Sequence, residues 1–183
     1  MKKDIEKILL DENEIAALCD DIAAKINADY ANSKKQLILI CILKGSLMFS
    51  SELMKRINVP LEIEFMKVSS YGSGTMSSGV VNIHLDITRK DLTDVDLLIV
   101  EDIVDSGRTL SYLTKYFHEK GANSVRTTTL LDKPSRRTHD FVPEYCGKQI
   151  PDEFVVGFGL DYNEKYRNLP YVGILKREVY TKE

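Results

Sequence analysis

The sequence predicts one α/β domain, covering residues 1–183, whose central sheet is mainly parallel. Two segments, the uninterrupted apolar run at 37–43 and the mostly apolar VDLLIV at 95–100, are typical of strands that are covered on both faces. Apolar residues recur at helical spacing over 12–30. Strand, loop, helix and strand then follow one another along the chain, an order that favours parallel strands joined by helices.

The first part of the chain alternates between helical and extended patterns. Over 12–30, one helix face carries the apolar residues Ile15, Leu18, Ile22 and Ile26. The run LILICIL at 37–43 has no polar face, so it predicts a strand that is buried on both sides. Polar and small residues at 44–46 end this strand, and the segment 47–57 predicts the helix that follows.

Two alternating segments, 61–65 and 80–88, predict half-buried strands. Between them lies SSYGSGTMSSG, residues 69–79, which is rich in glycine and hydroxyl side chains. This segment is too long for a tight hairpin. Loops of this kind either cover a binding site or are simply mobile, and composition alone leaves both interpretations open.

The second part of the chain repeats the same arrangement. VDLLIV at 95–100 predicts a buried strand, and the helix expected over 109–122 is closed by Gly121. Three further strands are expected at 124–131, 154–159 and 171–175. No internal repeat, low-complexity tract or linker divides the chain, so we expect a single domain.

Composition excludes several classes of function. The chain has 183 residues, of which 43% are hydrophobic and 29% charged, and a formal net charge of -3. We therefore expect no nucleic-acid or membrane partner attracted by the surface as a whole, and any anion binding must be local. Three scattered cysteines argue against disulfides and zinc, and no apolar run is long enough for a signal peptide or a membrane span. We expect a cytoplasmic protein.

The segment VEDIVDSGRTL, residues 100–110, carries the strongest chemical signal. Glu101 and Asp102 follow an apolar strand, and the residues 106–109 lie at a predicted helix start. Unpaired backbone N–H groups at a helix start favour a phosphate, while carboxylates nearby can bind sugar hydroxyls or a magnesium ion. A simpler alternative is that Asp105 or Ser106 caps the helix and that Glu101 and Asp102 are a solvated strand end.

Other phosphate-binding motifs do not match. The sequence contains no G-x-x-x-x-G-K-[ST] loop, and Gly157 and Gly159 lack the third glycine of a dinucleotide fingerprint. Asp94 and Asp96 stand before their strand, whereas a phosphorylated aspartate is expected at the far end. A nucleotide hydrolase or a phosphoaspartyl enzyme is therefore not favoured.

The segment 100–110 resembles the phosphoribosyl diphosphate signature of type I phosphoribosyltransferases. Four further motifs resemble the hypoxanthine-guanine phosphoribosyltransferase family in particular: Leu43-Lys44-Gly45-Ser46, Ser70-Tyr71, Leu131-Asp132-Lys133-Pro134, and IPDEFVVGFGLDYNEKYRNLP at 150–170. The resemblance runs in order from about Leu37 to Leu175. Ser46 and Arg108 stand where some members have glycine and lysine, and neither change removes a donor that the site needs.

The resemblance implies the type I phosphoribosyltransferase fold, a twisted, mainly parallel sheet flanked by helices, with a small hood and a flexible loop. It also implies a purine-salvage transferase that moves the 5-phosphoribosyl group from 5-phosphoribosyl 1-diphosphate to N9 of hypoxanthine or guanine. The products are IMP or GMP and pyrophosphate, and Mg²⁺ is required. A homodimer or a homotetramer is expected.

The resemblance also assigns roles to individual residues. Asp105 is expected to accept the proton at purine N7, Lys133 to donate to O6, Phe154 to stack on the base and Val155 to meet its edge. Glu101, Asp102, Asp105, Ser106, Gly107, Arg108 and Thr109 would bind the ribose and 5-phosphate; Lys44, Gly45 and Arg167 the pyrophosphate; Glu101, Asp102 and Asp161 the magnesium ions. Ser70 and Tyr71 would belong to a closing loop, and a cis peptide bond is expected between Leu43 and Lys44.

A different class of function stays open at this point. Some proteins with this fold sense the phosphoribosyl donor and regulate transcription or bind RNA without catalysing transfer. The chain shows no basic stripe and no DNA-binding segment, which disfavours that alternative.

Overall fold

The computed structural model describes residues 1–70 and 81–181. The strands are β1 Ile5–Leu10, β2 Gln36–Leu43, β3 Leu61–Ser70, β4 Val81–Leu85, β5 Val95–Val104, β6 Ser124–Asp132, β7 Tyr145–Gln149, β8 Val155–Val156 and β9 Val172–Leu175. The helices are α1 Glu12–Tyr30, α2 Leu47–Met54, α3 Arg108–Glu119 and α4 Arg177–Tyr180. Short 3-10 turns cover Lys2–Asp4 and Pro134–Arg136.

The larger sheet has the strand order β4-β3-β2-β5-β6-β7 within the described residues. All its neighbouring strands run parallel except β3 and β4, which pair antiparallel. This agrees with the predicted mainly parallel sheet. The second sheet, β1-β9-β8, is antiparallel and three-stranded, and it forms the small hood that the resemblance implied.

The apolar residues of β2 pack against helices on both faces of the sheet. Leu37, Leu39 and Cys41 belong to the cluster that contains residues of α1 and α2. Their neighbours Ile38 and Ile40 belong to the other cluster, with residues of α3. Because side chains alternate across a strand, a central strand with helices on both faces must be apolar throughout. The helix layers therefore explain the uninterrupted run.

Helix α1 begins with a capping box, which explains why it starts sharply at Glu12. The Asp11 side chain accepts a hydrogen bond from the Glu14 backbone N–H at 2.8 Å, and the Glu14 carboxylate accepts one from the Asp11 N–H at 2.9 Å. Both bonds satisfy N–H groups that have no partner in the first turn. In the described part of the chain, no helix combines the length and apolarity needed to cross a bilayer.

Several predicted boundaries are wrong. Helix α2 ends at Met54 rather than at residue 57. Of the strand expected over 154–159, only Val155–Val156 is extended. Strand β5 continues to Val104, so Glu101 and Asp102 lie inside the strand and not after it. The physical reason for the last difference is backbone pairing: Glu101 is paired with Thr129 of β6, and this pairing does not depend on side-chain polarity.

Candidate active site

A pocket of about 310 Å³ opens at the carboxyl ends of β2 and β5, where ligands bind in open α/β sheets. Its floor is the end of β5, and one wall is the loop that leads into α3. The predicted site residues that line it are Glu101, Asp102, Asp105, Ser106, Gly107 and Thr109. The structure thus brings together the carboxylates and the anion-binding turn that the sequence placed in one motif.

The loop before α3 has the geometry of an anion-binding turn. Gly107 is the N-cap residue with φ +80°, and helix α3 begins at Arg108. A residue with a side chain would be strained at this φ, and its Cβ would lie 2.8 Å from Cδ of Arg137. Thr109 and Leu110 belong to the first turn of α3. Their backbone N–H groups have no carbonyl one turn earlier in the helix to which they could donate. Neither Asp105 nor Ser106 is the helix cap, so the simpler alternative is wrong.

Residues 137–139 hold the same loop from outside. The Ser106 carbonyl accepts hydrogen bonds from the N–H groups of Thr138 at 3.0 Å and His139 at 3.1 Å. The Ser106 hydroxyl accepts one from the Arg108 N–H at 3.3 Å. These contacts fix the backbone of the turn before any ligand arrives.

The two carboxylates on the pocket floor are in an unfavourable environment. Burial raises the pKa of Glu101, and the neighbouring charge of Asp102 raises it further. Burial also raises the pKa of Asp102, although its Oδ1 accepts a hydrogen bond from the Ile103 N–H at 2.8 Å. Neither side chain forms an ion pair within the described residues. A cation or several hydroxyl donors would relieve this unfavourable arrangement.

Gly45 places the turn after β2 directly against Asp102. A Cβ on Gly45 would lie 1.6 Å from Oδ2 of Asp102, so a larger residue would displace the carboxylate. The peptide bond between Leu43 and Lys44 is cis, as the resemblance implied. The nearby Ser46 hydroxyl is fully buried and donates to the Ile42 carbonyl at 2.7 Å, so the serine fits at this position.

Lys44, Arg167 and Asp161 meet around Glu164, a residue that sequence reasoning missed. Lys44 Nζ lies 2.9 Å from Glu164 Oε2, and Arg167 Nη2 lies 3.3 Å from the same oxygen. Arg167 Nη2 also lies 2.8 Å from Asp161 Oδ1. The structure therefore brings together the two cationic side chains that the resemblance assigned to pyrophosphate. Nothing in the sequence indicated Glu164, because its partners are 3 and 120 residues away.

Asp105 lines the pocket, whereas the other residues predicted to contact the purine, Lys133, Phe154 and Val155, are not in its lining. Lys133 follows β6 and is only 8% exposed. Burial lowers the pKa of Lys133, and the nearby carboxylates of Asp105 and Asp152 oppose that effect. Val155 is buried in the hood. The Phe154 ring stacks on Tyr180, with ring centroids 4.8 Å apart.

Arg137 and Asp132 are a second pair that sequence reasoning missed. Arg137 Nη1 donates to the Asp105 carbonyl at 2.6 Å, and Arg137 Nη2 pairs with the buried Asp132 carboxylate. Because Arg137 also packs against Gly107, it stabilises the backbone of the turn before α3. The only sequence signal was two adjacent arginines after the Lys133-Pro134 step, a pattern equally typical of a solvated surface.

The closing-loop prediction falls mostly outside the described residues. Ser70 is the last residue of β3 and is paired with Val81 of β4. Tyr71 lies outside the described residues. Over residues 1–70 and 81–181, no three carboxylate, histidine or cysteine side chains converge on one point, so Asp161 is not grouped with Glu101 and Asp102.

The fold and the pocket are those of a phosphoribosyltransferase. A family model described as a phosphoribosyl transferase domain matches residues 6–163. A hypoxanthine-guanine phosphoribosyltransferase from Staphylococcus epidermidis is 49% identical over 182 residues, covering 100% of both chains. The chain therefore belongs to the hypoxanthine-guanine phosphoribosyltransferase family.

Solved structures agree with this assignment. A hypoxanthine phosphoribosyltransferase from Staphylococcus aureus superimposes with a TM-score of 0.92 at 49% identity, covering 98% of this chain and 96% of that one. The enzyme from Trypanosoma cruzi in complex with the product IMP superimposes with a TM-score of 0.90 at 40% identity, covering 97% and 98%.

Proposed function

We propose that this chain transfers the 5-phosphoribosyl group from 5-phosphoribosyl 1-diphosphate to N9 of hypoxanthine or guanine, giving IMP or GMP and pyrophosphate in purine salvage. The observation that carries the proposal is the pocket in which Glu101 and Asp102 face the glycine turn before α3. Carboxylates and an anion-binding turn together suit a sugar that carries phosphoryl groups.

The turn from Asp105 to Thr109 would bind the 5-phosphate. Its backbone is held by residues 137–139, so its N–H groups need no rearrangement when the phosphate arrives. Glu101 and Asp102 would bind the ribose hydroxyls. Their negative charges would also stabilise the positive charge that develops on the ribose ring as its bond to pyrophosphate breaks.

The leaving pyrophosphate would lie between the turn at Lys44 and Gly45 and the side chain of Arg167. Lys44 and Arg167 both contact Glu164. Pyrophosphate would replace this exposed carboxylate as their partner, because it offers more charge and pairs of oxygens that match a guanidinium.

The base would be recognised along the edge that carries N7 and O6. Asp105 would accept the proton at N7 as N9 becomes the nucleophile. Lys133 would donate to O6, and this contact disfavours adenine, whose amino group at that position is also a donor. Phe154 would stack on the base, and the backbone of Val155 would meet its other edge.

The residues present fit Mg²⁺. The carboxylates of Glu101 and Asp102 have raised pKa values and no cationic partner within the described residues, and Mg²⁺ prefers oxygen ligands of this kind. Asp161 would contribute to a second ion. When bound, Mg²⁺ would supply positive charge to the donor's diphosphate. The family resemblance further supports a homodimer or homotetramer in the cytoplasm.

The proposal is tested by measuring pyrophosphate release with the donor, Mg²⁺ and each of hypoxanthine, guanine, xanthine and adenine. We expect turnover with hypoxanthine or guanine, little with adenine, and none when EDTA removes the metal. Binding of the donor without pyrophosphate release on addition of any base would refute the proposal and favour a donor-sensing regulator.

A further inference from the structure

Four charged side chains of alternating sign are connected beside the pocket. Arg136 Nε lies 2.8 Å from Asp105 Oδ1, and Arg136 Nη1 lies 3.4 Å from Asp152 Oδ1. The same oxygen of Asp152 lies 3.9 Å from Lys133 Nζ. In order of contact the four are Asp105, Arg136, Asp152 and Lys133, and we call them the charge chain.

The members of the charge chain come from three different segments. Asp105 lies in the loop after β5, Lys133 and Arg136 follow β6, and Asp152 lies in the segment that leads into β8 of the hood. The distance between Asp105 and Lys133 is therefore determined by tertiary packing. Arg136 and Asp152 provide an ionic connection across these segments.

The two ends of the charge chain are the groups proposed to read the base. In a 6-oxopurine, N7 and O6 are neighbouring acceptors on one edge of the ring. An acceptor and a donor can bind both atoms at once only if their own separation matches that edge. A connection that fixes the separation before the base arrives would lower the cost of ordering the two side chains.

We propose that Arg136 and Asp152 are positioning residues, which hold Asp105 and Lys133 at the separation that matches N7 and O6 of a 6-oxopurine. This inference rests on the proposed function, because it concerns recognition of the base at the same site. Sequence reasoning did not single out either residue.

The individual contacts support this role. Arg136 pairs with Oδ1 of Asp105, and Oδ2 takes part in no ion pair among the described residues, so one oxygen is left to face the base. Lys133 is buried, which by itself lowers its pKa. Asp105, Asp152 and Glu153 are the acidic groups that oppose this effect, while Arg136 adds to it. Asp152 therefore also helps Lys133 to remain an ammonium donor.

The expected effect is moderate. The side chains of Arg136 and Asp152 are each 52% exposed, so solvent screens their attraction. We expect that breaking the connection will lower kcat/KM for the base by roughly three- to fivefold, at the upper end of the range for single exposed ion pairs. The same exposure means that either side chain can be replaced without opening the core.

The test uses the variants Arg136→Gln and Asp152→Asn of the full chain. For hypoxanthine we expect kcat/KM to fall by roughly three- to fivefold in each variant, while KM for the donor stays within about twofold. The double variant should show a kcat/KM for hypoxanthine only slightly lower than that of either single variant, because both substitutions interrupt the same connection. Arg136→Lys should recover part of the loss.

The pH profile separates positioning from a merely structural effect. In Asp152→Asn, Lys133 loses a carboxylate that favours its protonated form, so the alkaline limb of kcat/KM for the base should move to lower pH. Glu153→Gln is the matched control, because it removes a carboxylate that also favours protonated Lys133, less strongly than Asp152, but that forms no ion pair within the described residues. Its alkaline limb should therefore move less than that of Asp152→Asn. Glu153→Gln should keep kcat/KM for the base within about twofold of the original chain.

Two results would overturn the inference: base kcat/KM in Arg136→Gln and Asp152→Asn equal to that of Glu153→Gln, or an equal loss for the donor and the base. If the unsubstituted chain forms no IMP from hypoxanthine and the donor, the proposed function itself has failed. Thermal melting is measured on every variant. If Asp152→Asn melts early, Asp152→Ser, which also removes the carboxylate, replaces it with the same expected direction.

Discussion

The two ends of strand β5 carry carboxylates in opposite environments. Near its amino end, Asp96 is 5% exposed and accepts three hydrogen bonds, from Ser33 Oγ at 2.9 Å, Asn123 Nδ2 at 2.7 Å and Ser124 Oγ at 2.6 Å. Near its carboxyl end, Glu101 and Asp102 adjoin each other. Within the described residues they form no ion pair, and the Ile103 backbone N–H donates to Oδ1 of Asp102 at 2.8 Å.

The pKa values follow from this difference. Burial by itself raises the pKa of Asp96, but the hydrogen bonds from Ser124, Asn123 and Ser33 outweigh burial, and its pKa is lowered. Burial raises the pKa of Glu101 and Asp102, with no comparable set of donors to oppose it. One strand therefore carries a carboxylate with three hydrogen-bond donors from the fold and, at its other end, two carboxylates without such a set of donors among the described residues.

The largest effect that this comparison predicts is a loss of turnover when Asp105, just after the carboxyl end of β5, is substituted. Asp105→Asn keeps the shape of the side chain but removes its ability to accept a proton. We expect kcat to fall by about 100-fold or more, the usual contribution of a general base, while donor affinity changes little. Steady-state kinetics and calorimetric titration with the donor provide the measurements.

Asp21→Asn, an equivalent change at an exposed position of α1, is the control and should leave kcat unchanged. Equal losses of turnover and donor affinity in Asp105→Asn would contradict the proton-acceptor role.

The second predicted effect is a loss of stability when Asp96, near the amino end of β5, is substituted. Asp96→Ala leaves three donors without their acceptor, so we expect the free energy of unfolding to fall by about 2–3 kcal/mol. Turnover per folded molecule should not change. Urea unfolding provides the measurement, and Asp94→Ala is the control, because Asp94 is an exposed partner of Lys35 and should contribute less than about 1 kcal/mol.

The contribution of Asp96 should also depend on pH. Its pKa in the folded chain lies below the ordinary value of 3.8, so the unfolded chain binds the proton first as pH falls. The stabilisation is therefore complete above about pH 4 and is lost as pH falls through the lower, folded-state pKa. A difference between the original chain and Asp96→Ala that stays constant from neutral pH to pH 2 would contradict this account.

The smallest effect has the opposite sign. Glu101→Gln removes one of two adjacent carboxylates on the pocket floor, so in metal-free buffer we expect the free energy of unfolding to rise by about 1 kcal/mol. Donor affinity should fall in the same variant. Glu119→Gln, at the exposed end of α3, is the control for the loss of one charge. A loss of stability comparable with that of Asp96→Ala would refute the comparison between the two ends of β5.

Much of the fold could be predicted because periodicity is a local property. The run at 37–43 in β2 and residues 97–100 of β5 are apolar on both faces, and this required a layer on each side. Strands β1 and β7 were not predicted, since short edge strands depend on their partners more than on their own residues.

The site was recognised from sequence motifs. The contacts that support it could not be predicted from motifs, because they join residues that are distant in sequence. The turn around Gly107 was predicted from residue types in a local order. Arg137, Arg136 and Glu164 are ordinary charged residues in sequence, and their importance depends on partners such as Asp105 and Lys44 that are brought near by folding. The role of Asp96 was missed for the same reason.

The sequence by itself determined most of the strands and helices, the glycine turn before α3 and the family, because each depends on neighbouring residues or on a motif in fixed order. Only the tertiary structure decided which carboxylates are satisfied and which are not. Asp96 and Glu101 are both acids in one strand, and their difference comes from Ser33, Asn123 and Ser124, which the fold brings to one end of β5 only. Burial and hydrogen bonding are three-dimensional properties, so no local pattern separates these two residues.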